Sequence, residues 1–364
     1  MIETFQKLFK KYFSHEEAVI FVFIALATVA LFYFLGAVLM PVFMALVFAY
    51  LLVPSVDFLT KRKVPYFISV CIVFSVFIGF LAIVALWLIP KFFAQLSKFI
   101  GDIPKMVVKL QDQLIILQAK FPGYISTDQL NEITHRLDGS ILSQQASQLL
   151  PQVLSFSLST LPSIMTGVIY FVIVPILVFF MLKDRKTLLN SFKKILPTRR
   201  NLLRTISHEM NQQIENYIRG KAIEIAILFG VSFVVFQFFG LDYAFILAIF
   251  VGLSVLIPYI GAVIVTFPIV IIALIQFNLS SEFYWVMGSY MVIQLLDGNV
   301  LVPIIFSEAV NLHPIAIIIA VLVFGGVWGF WGVFFAIPLA TLVKAIFNSW
   351  PKQNGANSPI KQED

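Results

Sequence analysis

The sequence predicts an all-α, polytopic helical membrane protein with about eight spans, broken helices, a terminal short hairpin and a small extracytoplasmic helical region. Hydrophobic residues make up 60% of the 364 residues and charged residues only 12%, against about 25% in a typical soluble protein. The mean hydropathy is +0.96. Several apolar runs approach the roughly 20 residues that a helix needs to cross a bilayer. A soluble fold would need a core larger than one domain builds.

Residues 1–90 predict three N-terminal spans. Gly36 and Pro41 indicate a break between the first two, because both residue types interrupt helices. A basic triplet at 61–63 follows the second span, and the positive-inside rule assigns it to the cytoplasm. The three predicted spans are 18–36, 38–56 and 64–89.

Residues 91–161 differ in kind, because apolar residues recur there mostly at alternating steps of four and three. This pattern is typical of an amphipathic helix, which we expect to be interrupted near 101–104 and to stop at 121–123. Six basic and five acidic residues leave the region nearly neutral. We interpret it as an extracytoplasmic helical region, with packing or oligomerisation favoured over ligand binding.

Residues 162–221 contain a fourth span, predicted at 161–182, followed by a basic helix. Ten of the chain's 25 Lys and Arg residues lie between 183 and 221. In a chain this apolar, such a cluster is typical of a cytoplasmic face near anionic lipid and not of a nucleic-acid site.

Residues 222–347 form the predicted transport core. No Lys or Arg occurs between 222 and 343, whereas five carboxylates do. A terminal hairpin of two short crossings is predicted at 312–347, and 348–364 form a tail. This arrangement places both termini and every basic cluster in the cytoplasm. The other predicted spans of the core are 222–239, 242–257, 261–277 and 283–302.

Polar residues within these apolar runs are the candidate substrate or ion path. Hydrocarbon does not solvate such groups, and a charged side chain at the bilayer centre costs about 3 kcal/mol. They should therefore face a protein interior or a wet cavity. Tyr290, Gln294 and Asp297 are spaced by four and three residues, which places them on one helical face. The full set of candidates is Tyr259, Tyr290, Gln294, Asp297, Asn299, Glu308 and His313.

Each candidate also has a structural explanation. Tyr290 and Gln294 could hydrogen-bond one helix to another. Glu308 could be a solvated loop carboxylate, and His313, which precedes Pro314, could cap a helix. For Asp297 a functional role is favoured, because a purely structural scaffold has little reason to carry the cost of a buried carboxylate.

Prolines and glycines divide the C-terminal spans. Broken helices leave backbone groups that can bind ions or permit gating, although glycines also let helices pack closely. Two hairpins resemble each other at an offset of 71 residues, with Gly261 matching Gly332. Such similarity suggests an inverted repeat of the kind found in transporters. The predicted helix breaks or gating positions are Pro258, Gly261, Pro303, Pro314, Gly325, Gly326, Gly329, Gly332 and Pro338.

Two transport functions follow from these residues. The first is movement of a small polar solute, hydrogen-bonded by the Tyr, Gln, Asp and Asn side chains. The second is sodium– or potassium–proton exchange, in which a desolvated carboxylate alternates between a proton and a cation. A passive channel or a membrane scaffold is a further alternative.

The sequence argues against enzyme, cofactor and metal chemistry. It contains no GxxxxGK[ST], HExxH or GxSxG motif. Four His and one Cys offer little for a metal site, and a single cysteine cannot form an intramolecular disulfide. We expect no enzyme activity, no cofactor and no bound metal.

Several short motifs follow one another in the C-terminal half: YIRGK at 217–221, PYIG at 258–261, DGN at 297–299 with Pro303, LHP at 312–314, the glycines at 325–332 and AIP at 336–338. Their order and spacing resemble the autoinducer-2 exporter family of bacterial inner-membrane permeases. The resemblance covers most of the chain and is strongest from Tyr217 onward. One position departs from the family pattern, since Ala262 stands where a proline is frequent, and we expect a milder kink there.

This resemblance implies a permease of the bacterial inner membrane. It implies export of small molecules, autoinducer-2 in some members, and sodium–proton exchange in others. It also implies a homo-oligomer, with a pentamer as the expected state. The implied partners are therefore the lipid bilayer, a small polar solute or Na⁺ and H⁺, and further copies of the chain.

Overall fold

The computed structural model describes residues 16–120, 161–195, 201–306 and 312–349, and within these ranges the chain is helical, with no strand. Short π turns at Val84–Leu88 and Asp297–Leu301 join helices end to end. The described α-helices are α1 Glu16–Lys61, α2 Tyr66–Ile83, α3 Ile89–Lys120, α4 Leu161–Lys183, α5 Arg185–Ile195, α6 Asn201–Phe238, α7 Ala244–Ser254, α8 Ile260–Phe277, α9 Ser281–Leu296, α10 Val302–Phe306, α11 Pro314–Phe334 and α12 Ala336–Ser349.

The chain divides into two compact units. We call Met44–Lys183 with Tyr217–Ala309 the core unit. Met1–Phe43, Asp184–Asn216 and Val310–Asp364 make up the terminal unit. Six helices among the described residues are long and apolar enough to cross a membrane, and three further apolar helices are shorter. The prediction of a polytopic helical membrane protein is confirmed.

Two clusters of buried side chains hold the core unit together. One joins α1, α2 and α4 around Val70, Val178 and Leu182. The other joins α6, α7, α8 and α9, with Phe236 and Tyr290 among its largest members. Packing in both clusters is aromatic-rich, as expected for a chain with 39 Phe.

Helix α7 lies at the centre of the second cluster. Ile246, Leu247, Ala248 and Val251 are fully buried, which suits a helix that is apolar on every side. Its 11 residues extend about 16 Å, roughly half of the hydrocarbon core of a bilayer. The prediction of a complete span at 242–257 is therefore wrong, because the helix ends at Ser254 and the chain turns back.

Helix α3 fixes the start of α7. The Tyr243 hydroxyl donates a hydrogen bond of 2.6 Å to Asp102, and the backbone N–H of Ile246 donates to the Gln95 side chain at 3.2 Å. The second bond satisfies a backbone N–H in the first turn of α7 that has no partner inside the helix, and the first holds the residue before that turn. The amphipathic stripe predicted from 91 onward thus packs against α7 within the core unit.

The turn between α7 and α8 depends on a glycine. A Cβ at Gly261 would lie 1.8 Å from the carbonyl oxygen of Ser254, so only glycine fits. Tyr259, two residues earlier, has a φ of 63°, a left-handed value that costs energy in a non-glycine residue. We call residues 255–260 the hairpin tip.

A second hairpin, in the terminal unit, has the same close approach between a glycine and a backbone carbonyl. A Cβ at Gly332 would lie 1.8 Å from the carbonyl oxygen of Phe324, and Gly329 adopts a φ of 59° that interrupts α11. The match of Gly261 with Gly332 therefore extends from the sequence to the backbone geometry of each hairpin. Whether the two hairpins are inverted in the membrane stays a prediction.

The N-terminal spans differ from the prediction. Gly36 and Pro41 lie inside α1, which continues without a break for 46 residues. A proline removes one helical hydrogen bond, and membrane helices tolerate that loss. Likewise α2, the first π turn and α3 follow one another directly, so the chain does not stop at Pro90 or at 101–104, and Pro104 lies within α3.

Both π turns come two residues before a proline, at Pro90 and Pro303. Proline has no N–H for the carbonyl four residues earlier, and a π turn takes up this mismatch by bonding residues five apart. The N–H of Ile89 bonds Val84 and the N–H of Val302 bonds Asp297 in this way. The predicted break at Pro303 is therefore a π turn inside a continuing helix.

Other predictions agree with the described helices or fall outside them. The fourth span matches α4, the span at 261–277 matches α8, and 222–239 is the second half of α6. The span at 283–302 matches α9, the second π turn and α10, which follow one another directly and which we call the α9–α10 rod. The expected stop at 121–123 lies outside the described residues. Membrane orientation stays a prediction.

Substituting Gly261 tests the close approach at the hairpin tip. Gly261→Ala should destabilise the protein by about 1–3 kcal/mol or more, because its Cβ meets backbone that cannot move aside cheaply. The measurement is thermal unfolding of the purified protein in detergent. Gly288→Ala is the matched control, since nothing lies within 4 Å of a Cβ there. Equal unfolding temperatures for the two variants would contradict the described tip.

Candidate functional site

A buried ion pair lies within α6, in a stretch that is long and apolar enough to cross the membrane. The Lys221 ammonium lies 2.8 Å from the Glu224 carboxylate, with the side chains only 8% and 2% exposed. The residues are three apart on one helix, so their side chains emerge on the same face. Charges are rarely buried unless they are paired, and here the pair is local to one helix.

Lys221 also reaches two other elements. It donates a hydrogen bond of 2.9 Å to the carbonyl oxygen of Val255, the first residue of the hairpin tip. Its nitrogen lies 5.3 Å from the ring centroid of Phe306 in α10, within cation–π range. A single ammonium therefore connects α6, the end of α7 and the end of the α9–α10 rod.

Gly220 makes this meeting possible. A Cβ there would lie 2.5 Å from the Phe306 ring and 2.6 Å from Ile305. The Tyr217 ring packs against Phe306 one turn earlier, at 6.1 Å between centroids. Because α10 can approach the α6 backbone, Phe306 covers Lys221 and excludes solvent from it.

Asp297 supplies a second carboxylate near the pair. It opens the second π turn, and within the described residues its Oδ1 is buried without a hydrogen-bond partner. It interacts electrostatically with both Lys221 and Glu224. We call Lys221, Glu224 and Asp297 the charge cluster, which holds one cation and two carboxylates.

The predicted polar face of α9 forms a directed hydrogen-bond chain. Gln294 donates to the Tyr290 hydroxyl at 3.0 Å, and the Tyr290 and Thr266 hydroxyls lie 3.0 Å apart. Thr266 in turn donates to the carbonyl of Ala262 at 2.7 Å, so Tyr290 is the donor to Thr266. This chain ties α9 to the first turn of α8, the interhelical bonding considered as the structural explanation for Tyr290 and Gln294.

The remaining candidates do not join the charge cluster. Asn299 is exposed and bonds the Leu295 carbonyl of its own helix at 2.9 Å. Tyr259 lies exposed on the hairpin tip. His313 caps α11, where its Nδ1 accepts the N–H of Ile315 at 3.3 Å and Pro314 occupies the first turn. Glu308 lies outside the described residues.

The predicted breaks differ in their surroundings. Pro258 lies in the hairpin tip, whereas Pro338 falls within the first turn of α12, where a missing N–H costs little. A Cβ at Gly325 would lie 2.8 Å from Val333, while Gly326 has open space around it. Tight packing thus explains why position 325 is a glycine, but it does not explain the glycine at 326.

Sequence reasoning missed Lys221 and Glu224. Lys221 was assigned to the end of the cytoplasmic basic stretch, and Glu224 was only counted among the carboxylates. The available signal was the spacing of three residues between a Lys and a Glu at the start of a long apolar run. Among the described residues, no three His, Cys, Asp or Glu side chains come together to hold a metal ion.

Truncating one member of the ion pair should be costly. Lys221→Met leaves Glu224 buried and unpaired, and such losses cost about 3–5 kcal/mol, whereas replacing both partners by apolar residues is frequently neutral. In thermal unfolding in detergent, the Lys221→Met/Glu224→Met double variant should therefore have a higher unfolding temperature than either single variant. Lys105→Met, which breaks the exposed Asp102–Lys105 pair, is the control and should have little effect. A double variant as unstable as the worse single variant would contradict the buried pairing.

Comparison with known proteins agrees with this architecture. The family model described as "AI-2E family transporter" matches residues 21–352. The chain is 41% identical over 351 residues to the Escherichia coli K12 protein named "Putative permease PerM", covering 96% of this chain and 98% of the relative. It is 27% identical over 318 residues to the Bacillus subtilis "Putative transport protein YueF", covering 86% and 84%. The chain therefore belongs to the AI-2E transporter family and is a multi-pass membrane protein whose relatives are named as permeases and transport proteins.

Proposed function

We propose that this chain exports a small polar solute across the bacterial inner membrane and that the charge cluster couples export to an ion gradient. One observation carries the proposal, the buried contact of Lys221 with both Glu224 and the hairpin tip. Holding charges inside an apolar span is costly, and a transporter can use groups that change their charge there. Family membership supports the transport class, and its name suggests autoinducer-2 as the test solute.

The coupling step is a proton transfer that changes the partner of Lys221. When a proton from water binds the Glu224 carboxylate, that group becomes neutral and its attraction for the ammonium falls. Asp297 has a buried carboxylate oxygen without a hydrogen-bond partner and interacts electrostatically with Lys221, and we propose that Lys221 turns towards it. The ammonium then releases the Val255 carbonyl, and the hairpin tip is free to move. Loss of the proton restores the original pair.

The tip is suited to such motion. Its backbone bonds are local, such as those from the N–H of Ile257 to Ser254 and from the N–H of Gly261 to Ile257, and Tyr259 has a positive φ of 63°. The Gln294–Tyr290–Thr266 chain reaches Ala262 beside this segment. Hydroxyl and amide groups there could exchange their bonds for those of a polar solute.

Sodium– or potassium–proton exchange is the second candidate. It is favoured by the same unpaired oxygen of Asp297, because a carboxylate that loses a proton can take a monovalent cation in its place. In that case no organic solute is needed. A passive path or a membrane scaffold needs no charge cluster at all.

We further propose that both termini face the cytoplasm and that the chain forms a homo-oligomer, with five copies as the expected number. The basic stretch at 183–221 supports this orientation. Solution mass in detergent and accessibility of cysteines introduced near each terminus would test these two statements separately from transport.

Transport by vesicles that contain the full chain and a lumenal pH dye tests the coupling. A gradient of autoinducer-2 should drive a pH change in wild-type vesicles. Glu224→Gln should abolish it because an amide cannot take up the proton, and Asp297→Asn should abolish it because Lys221 then has no second anionic partner. Glu282→Gln is the matched control, because it removes an exposed carboxylate from the helix that leads to Asp297. Variants are compared only if they assemble like wild type and remain folded at the temperature of the assay.

Three outcomes decide between the functions. A solute-driven pH change that is lost in the two cluster variants supports coupled export. A pH change driven by Na⁺ or K⁺ without solute favours cation exchange and overturns export. Solute movement without any pH change, in wild type and variants alike, would identify a passive path and overturn the coupling.

A further inference from the structure

A second feature of the core unit lies apart from the charge cluster and does not rest on the proposed function. An apolar groove of about 650 Å³ runs between α1 and α2, a size within the range of roughly 300–1,000 Å³ found for ligand sites. Its walls include Leu52, Ser55 and Phe58 from α1 and Ile72, Val76 and Phe80 from α2. Among all its lining residues, Ser55 alone has a polar side chain.

The groove is elongated along α2. Ile72, Val76 and Phe80 follow one another at steps of four residues, so they line one face over about 12 Å. All three are exposed, at 45%, 68% and 57%, which leaves the wall uncovered within the chain. An open apolar groove along a membrane helix fits the shape of an extended hydrocarbon chain.

One end of the groove carries positive charge. The Arg62 guanidinium lies 4.4 Å from the ring centroid of Phe58, which itself lines the groove. Stacking on a ring uses none of the guanidinium N–H groups, so these donors can still bind an anionic oxygen in two-point fashion. Lys61 and Lys63 flank Arg62, and all three residues are exposed.

We infer that this groove binds an anionic phospholipid, with one acyl chain between α1 and α2 and its phosphate on Arg62. The charge complementarity selects this occupant. A neutral lipid would fill the apolar walls but make no use of the basic end, and a second copy of the chain would need an acidic group to meet it. The triplet 61–63 lies where basic residues bind anionic leaflets, next to the end of a span.

Native mass spectrometry of the delipidated full chain, titrated with phosphatidylglycerol or with diacylglycerol, which has the same acyl chains but no phosphate, tests the site. Arg62→Gln should weaken phosphatidylglycerol binding roughly fivefold, the equivalent of about 1 kcal/mol for one basic residue at an anionic headgroup, and leave diacylglycerol binding unchanged. Val76→Trp should fill the groove and weaken binding of both lipids.

Matched controls separate this site from general surface effects. Lys183→Gln removes a cation that also lies over a ring, 5.7 Å from Phe180, which does not line the groove. Val234→Trp changes a valine on α6 that is 65% exposed, close to the 68% of Val76. Both controls should bind lipid like wild type.

Two results would overturn the inference. The first is an equal loss of phosphatidylglycerol binding in Lys183→Gln and Arg62→Gln, which would mean that overall charge decides binding. The second is a Val76→Trp variant that binds both lipids normally but changes the mass of the assembled oligomer, which would mean that a second copy of the chain fills the groove.

Discussion

The buried contact between Lys221 and Glu224 constrains much of the core unit. An ammonium inside an apolar span needs an anion and further acceptors, because hydrocarbon supplies none. The carboxylate comes from the next turn of α6, the carbonyl from the end of α7 and the aromatic face from α10. Helices α6, α7 and α10 therefore have to meet at one point, and this requires close approach between their backbones.

Glycines provide that closeness. Gly220 admits Phe306 next to Lys221, and Gly261 admits the end of α7 beside α8. A Cβ at Gly252 would lie 3.0 Å from the carbonyl oxygen of Ile225 on α6, so α7 also packs tightly against the helix that carries the ion pair. Small residues are the usual means of close helix packing in membranes. Here they bring together the helices around the buried Lys221–Glu224 pair.

The short helix α7 and the second π turn also help to bring partners to Lys221. Helix α7 has only 11 residues, about half the length that a helix needs to cross the hydrocarbon, and the residue after it offers the Val255 carbonyl to Lys221. The π turn at Asp297 rotates the rest of the α9–α10 rod, after which Phe306 covers the pair. A continuous α-helix at either position would satisfy its own carbonyls and leave the ammonium without these partners.

The sequence predicts those features that depend on local residue patterns. Apolar runs predict the helical membrane fold, the spacing of Tyr290 and Gln294 predicts their shared face, and Gly261 with Gly332 predicts two similar turns. The charge cluster was not predictable in the same way. A partner of Lys221 is a backbone carbonyl, which no residue type reveals, and a lysine beside a basic stretch resembles a cytoplasmic one. The single helix α1 was missed because Gly36 and Pro41 interrupt helices in water more often than in a membrane.

Hydrogen–deuterium exchange of the protein in nanodiscs tests the central claim most directly, that the ion pair holds the hairpin tip. Glu224→Gln should raise the exchange of amides at 255–261 relative to wild type, because a neutral partner no longer anchors Lys221 against the Val255 carbonyl. Amides of α2, which lie in the other buried cluster, should exchange as before. Unchanged exchange at 255–261 in a correctly assembled variant would contradict the account.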